Sequence, residues 1–149
     1  MDDMTALENA ELRRLVLRVL AQRSRTPSDP EALAAAAQGA YDDLARVSAP
    51  LIGQGGVNAL TDRALHIARR EYPWLVVTRE EARTEEPISQ ALICLKRQEP
   101  AVATEAANAV FATFTGLLAT FIGEPLTMRL LRKAWPDALS DASSEEPKA

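Results

Sequence analysis

Leu60-Thr61-Asp62-Arg63-Ala64-Leu65-His66-Ile67-Ala68 and Leu126-Thr127-Met128-Arg129-Leu130-Leu131-Arg132-Lys133-Ala134 share leucine, threonine, arginine, leucine and alanine at five of nine places. Upstream of the two phrases the likeness continues at a spacing of 70 residues. Pro30 meets Pro100, Ala36 and Ala37 meet Ala106 and Ala107, Ile52 meets Ile122, and Gly53 meets Gly123. Tyr41, Leu44, Val47 and Leu51 fall opposite Phe111, Phe114, Leu117 and Phe121. Each stretch reads as a proline-opened apolar helix, a glycine stop and a second helix. A unit of that size has too little core to stand alone, so two copies are expected to pack about a pseudo-two-fold axis.

Outward from that pair, the rest of the chain also reads as helix. Thr5-Ala6-Leu7-Glu8 is a capping box, in which the hydroxyl accepts from an early amide and the glutamate reaches back. Leu12, Leu15, Val16 and Val19 then follow at helical spacing up to Arg23. Ser28-Asp29-Pro30-Glu31 opens a second helix, with proline where its missing amide costs nothing. Pro50 is expected to bend or end it, and Gly53, Gly55 and Gly56 to reverse the chain. A third helix spans about Val57 to Tyr72, with Leu60, Ala64, Ile67 and Ala68 inward. Residues 74–78 suit either an extended connector or a lone strand. Thr84-Glu85-Glu86-Pro87 opens a fourth helix with Ile88, Ala91, Leu92 and Leu95 inward. Pro100 to Gly123 is the fifth, and Glu124 to Trp135 the sixth. The expected fold is therefore all-α: a six-helix pseudo-symmetric bundle built from a duplicated helical unit. It occupies residues 5–136 as one domain, with repeat units at about 5–72 and 87–136. The acidic, serine-rich tail 137–149 has too little apolar content to join a core and is expected to be disordered.

Composition narrows the function classes. Apolar residues make up 47% and charged residues 26% of 149 residues, the balance of a soluble globular domain. The net charge of −4 argues against a general nucleic-acid binder, which needs a basic face to displace counterions. One cysteine, Cys94, excludes an internal disulfide and disfavours a zinc–cysteine site. The acidic Met1-Asp2-Asp3 start is unlike a secretory signal, so the expected location is cytoplasmic. Ala106 to Gly123 lacks any charge, yet it carries Asn108 and three threonines and has no basic flank. A buried central helix explains it better than a membrane span.

The copies differ where function is expected. Helix two carries charge opposite its apolar stripe, whereas helix five carries the small strip Ala109, Ala112, Gly116 and Ala119. A helix apolar all round is normally covered. The cover is either another element of the same chain or a second copy, the two fifth helices meeting in an isologous dimer.

Chemistry-bearing residues are sparse. His66, the single histidine, falls on the solvated face, with Asp62 and Arg70 a turn away on either side. An exposed histidine on a helical bundle resembles a phosphorelay domain, where the imidazole accepts a phosphoryl group. The surroundings depart from that pattern, since Ile67 follows where a kinase dimerisation helix has an acid. Arg63 and Arg129 occupy equivalent repeat positions and suit an anion or an acidic partner, because guanidinium forks fit carboxylates and phosphates. Adjacent acids such as Asp42-Asp43 diverge on a helix and do not share a metal. No phosphate loop, nucleophile elbow or metal-ligand spacing occurs, so no catalytic residue, cofactor or metal is expected. The reading is a non-enzymatic regulatory or interaction domain of the bacterial-signalling kind, partnered by itself and by another protein. Two alternatives stand beside it: a phosphorelay module using His66, and a small-molecule sensor with an apolar pocket near Phe111, Phe114 and Trp135.

Overall fold

The computed structural model of the chain describes residues 9–23, 29–75 and 87–136. They form five helices: α1 (Asn9–Arg23), α2 (Pro30–Ala68), α3 (Pro87–Lys96), α4 (Pro100–Ile122) and α5 (Glu124–Ala134). No strand occurs among the described residues, so the all-α expectation holds. Five helical elements stand where six are expected, because the second and third expected helices run together as one 39-residue element, α2, whose two helical arms meet across a kink at the expected Gly53, with φ 80 and ψ 158. Pro50 lies inside α2 without ending it. A proline there removes one amide, and the chain turns aside three residues later, where glycine tolerates positive φ. Gly55 and Gly56 do not take part in the break and are helical.

The helix ends follow from local chemistry. Asp29 caps α2: its side chain accepts from the Glu31 amide at 3.1 Å, and Pro30 opens the first turn. The far end stops at Ala68 instead of Tyr72, and the chain continues in tight turns, with the Tyr72 amide bonded to Ala68 O and the Leu75 amide to Tyr72 O, each at 2.9 Å. Gly123, at φ 95 and ψ 153, separates α4 from α5. Its amide returns to Ala119 O at 2.8 Å, while its own carbonyl accepts the Thr127 amide at 3.1 Å. The Thr5 and Thr84 caps, positions 76–78 of the ambiguous stretch and the tail 137–149 lie outside the described residues. Trp74 and Leu75 are in a turn.

One core draws on all five helices, with α4 at its centre. Phe114 meets Tyr41 of α2 edge-on at 6.3 Å, and Phe111 meets Trp135 edge-on at 5.9 Å. Each such pair adds about 0.5–1.5 kcal/mol beyond simple burial. Both polar tips are satisfied inside the core. Tyr41 Oη lies 2.7 Å from Thr61 Oγ1, and Trp135 Nε1 donates to Ala40 O at 3.1 Å. Thr61 Oγ1 also reaches Val57 O at 2.9 Å, and Thr127 Oγ1 reaches Gly123 O at 2.8 Å, the same four-residue back-bond at the two equivalent threonines. Ile88, Ala91, Leu92 and Leu95 of α3 are buried as expected. In the second arm of α2, Ala64 and Ala68 are buried with Thr61 and Leu65, while Leu60 and Ile67 are only half-buried. α1 lies across α4 and α2 on Leu12, Val16, Val19 and Leu20. It is held at one end by Asn108 Nδ2 donating to Arg13 O at 3.1 Å, and at the other by the Arg23–Asp43 ion pair at 2.7 Å.

Candidate interaction surface

The strip Ala109, Ala112, Gly116 and Ala119 divides in two. Ala109 and Ala112 are buried in the chain's own fold, on the stretch of α4 where Asn108 ties to α1. Gly116 and Ala119 are half-buried, and a β-carbon placed on Gly116 meets no heavy atom within 4 Å. Beyond them Thr120 is exposed, its hydroxyl turned back onto Gly116 O at 3.0 Å. Phe121, which the helix wheel put inward, is 68% exposed. The open positions on the last two turns of α4 are therefore Gly116, Ala119 and Thr120 on one face and the Phe121 ring on another, while Leu118 stays fully buried.

Leu51 shows the same departure. It belongs to the apolar stripe of α2 by spacing, yet it is 50% exposed. Leu51 and Phe121 each stand two residues before a positive-φ glycine. Helical phase still points them at the core, but the chain swings away at the glycine and takes the covering arm with it. Proximity to Gly53 and Gly123 was the signal in the sequence that identifies both.

The candidate chemical groups are scattered rather than gathered. Arg63, His66 and Arg129 are all exposed, and among the described residues none of the three enters a hydrogen bond or ion pair. Cys94 is buried. Among the described residues no cluster of three histidine, cysteine or acidic side chains has the geometry of a metal site. The best-formed charged group is Asp43. Burial pushes its carboxyl upward, but hydrogen bonds from Arg23 and Arg46, with their charges, outweigh that and hold it below its usual 3.8. Its partners sit at 2.7 and 3.2 Å. This cluster fastens α1 to α2. The Tyr72 phenol is pushed up by burial, with Glu71 and Glu105 adding to the effect and Arg13 opposing it.

Two hollows adjoin α3. A wholly apolar crevice of about 10 Å³ lies among Ala37, Leu75, Leu92, Ala107, Val110 and Phe111. That is at the lower limit for one water. Phe111 lines it, but Phe114 and Trp135, expected beside it, do not. An open groove of about 450 Å³ runs between α2 and α3, over Ala34, Ala35, Gln38 and Ile93, with Glu31 and Lys96 on its walls. Three buried polar atoms lack partners among the described residues: Ser48 Oγ, Asn108 Oδ1 and Thr115 Oγ1. Each costs about 1–3 kcal/mol of desolvation. None of them lines either hollow. α4 is long and apolar enough to cross a membrane by length and composition, and 56% of its apolar window is buried within the protein.

No family model, curated protein or solved structure matches this chain.

Proposed function

We propose that the chain is a non-enzymatic interaction module of the regulatory, bacterial-signalling kind, which acts as a homodimer through the open end of α4. The observation that carries the reading is Phe121, 68% exposed at the end of α4, with Gly116 open as well, one to two turns earlier and about 140° round the helix. An aromatic side chain in water forgoes about 1.5–3 kcal/mol of burial, which a facing apolar surface returns. A smooth glycine position lets a second backbone approach there. The scattered exposure of Arg63, His66 and Arg129 supports no catalytic constellation, and the small volume of the apolar crevice weighs against a sensor for an organic ligand.

The same reading holds that residues 30–68 and 100–134 are a doubled helix pair. Three features support it. Gly53 and Gly123 share nearly the same unusual dihedrals. Thr61 and Thr127 make the same back-bond. Tyr41, Leu44, Ala64 and Leu65 are buried as are their counterparts Phe111, Phe114, Leu130 and Leu131.

Sedimentation equilibrium over a hundredfold concentration range tests the dimer. The native chain is expected at twice its 16.2 kDa mass. Phe121→Ser and Gly116→Leu should each give a folded monomer. A native chain that stays monomeric at every concentration, or variants that keep the doubled mass, would end the proposal. Phosphoryl transfer to His66 from a phosphorylated receiver domain, lost in His66→Ala, would replace this reading with the phosphorelay one.

A further inference from the structure

Thr61 stands eight positions after Gly53, and Thr127 only four after Gly123. The four extra residues amount to one helical turn, so the buried face of the arm keeps its direction. That additional turn consists of Gly53, Gln54, Gly55 and Gly56. It lies on the outside of the molecule: residues 53–55 are exposed and Gly56 is half-buried. β-Carbons built on Gly53 and Gly55 meet nothing within 4 Å. The break residue has no side chain to cap the first amides of the arm. On this turn Gln54 Nε2 donates to Asn58 Oδ1 at 3.1 Å, an exposed bond. Both ends are fixed. Upstream, Ser48 is fully buried; downstream, Val57 is fully buried and its carbonyl holds Thr61, which is itself bonded to Tyr41.

We infer that residues 53–56 open and close as a unit while the rest of α2 stays folded. Glycine is the poorest helix former after proline, so a turn with three of them, exposed except at Gly56, is near balance. The restart point is prepared. Once the turn unwinds, Asn58 Oδ1 is released from Gln54 and becomes free to cap the amides of Leu60 and Thr61, as asparagine does at helix starts. Asn58 stands where Glu124 begins α5, counted back from the shared threonine. This detail and the comparison of the two spacings rest on the repeat reading, while the exposure of residues 53–55 does not. Opening lengthens the tether between Ile52 and Val57 from about 1.5 Å per residue to about 3.3 Å. Because Ser48 and Val57 stay buried, that extra reach is slack within the turn, and Ile52 keeps its packing against the core.

Native-state hydrogen exchange on the intact chain tests the inference. The amides of Val57, Asn58, Ala59 and Leu60, whose helical acceptors are the carbonyls of residues 53–56, should exchange at least a hundredfold faster than those of Ala64–Ala68. They should also exchange faster than Thr127–Leu130, the matching first-turn amides of α5. Gly55→Ala, placed in open space, should slow those four amides about fivefold and leave Ala64–Ala68 unchanged. Equal protection of 57–60 and 127–130 reduces the effect to ordinary end fraying and overturns the inference, as does exchange of 57–60 only with global unfolding. The outcome is independent of the mass measurement, so failure here leaves the dimer proposal standing and failure there leaves this one.

Discussion

At Gly53 and Gly123 the backbone takes φ 80, ψ 158 and φ 95, ψ 153, a region that a β-carbon closes to other residues. Neither glycine is crowded, with nothing within 4 Å of a β-carbon on Gly53 and only Pro125 Cδ at 3.9 Å on Gly123. Substitution there tests conformation and not space. Gly53→Ala and Gly123→Ala should each lower unfolding free energy by about 1–3 kcal/mol in urea titrations. A neutral effect at either site would mean that the chain bends some other way. Asp43 makes a second prediction at this scale. Its carboxyl titrates lower in the folded chain than in the unfolded one, so its contribution is complete above the unfolded value of 3.8. That contribution disappears as pH falls from there through the depressed folded value. The side chains of Asp43 and Arg23 are each 31% exposed, so solvent screens the pair. Asp43→Asn should therefore cost only about 0.2–1 kcal/mol near neutral pH. The difference from the native chain should vanish in strong acid, as denaturation at the two pH values would show.

Among the helices, legibility followed the source of each signal. Prolines and capping acids stand in the sequence itself, so the starts of α2, α3, α4 and α5 were readable to within a residue or two. The apolar face of α3 was equally plain, because four buried residues recur at helical spacing on a short helix. What the spacing did not reveal was continuity. Whether Gly53 ends a helix or merely bends it depends on where the second arm finds its packing surface, and that is a tertiary fact. The strip on α4 was visible as small residues, but its division between Ala112 and Gly116 depends on how far α1 reaches, which no local pattern encodes. Leu51 and Phe121 were misplaced because helical phase says nothing of a neighbour that has swung away.

The whole molecule stands on α1 as well as on the two arms. α1 lies outside the two arms, and its apolar face packs on α4. Leu12 is 2% exposed, and Leu12→Ala should cost about 2–5 kcal/mol in urea unfolding. The loss should also loosen α4 and raise amide exchange around Ala109 and Ala112. A cost under about 1 kcal/mol would mean that α1 is an accessory to a core that the other helices complete, since single surface changes fall in that range.

Trp135 is fully inside the protein, and its indole nitrogen reaches back 95 positions to the carbonyl of Ala40. A growing polypeptide cannot make that link until Trp135 itself has left the ribosome. Up to that moment Tyr41, Phe111 and their neighbours lack the ring that closes over them, and the nascent chain presents an unfinished apolar cleft to the cell's chaperones.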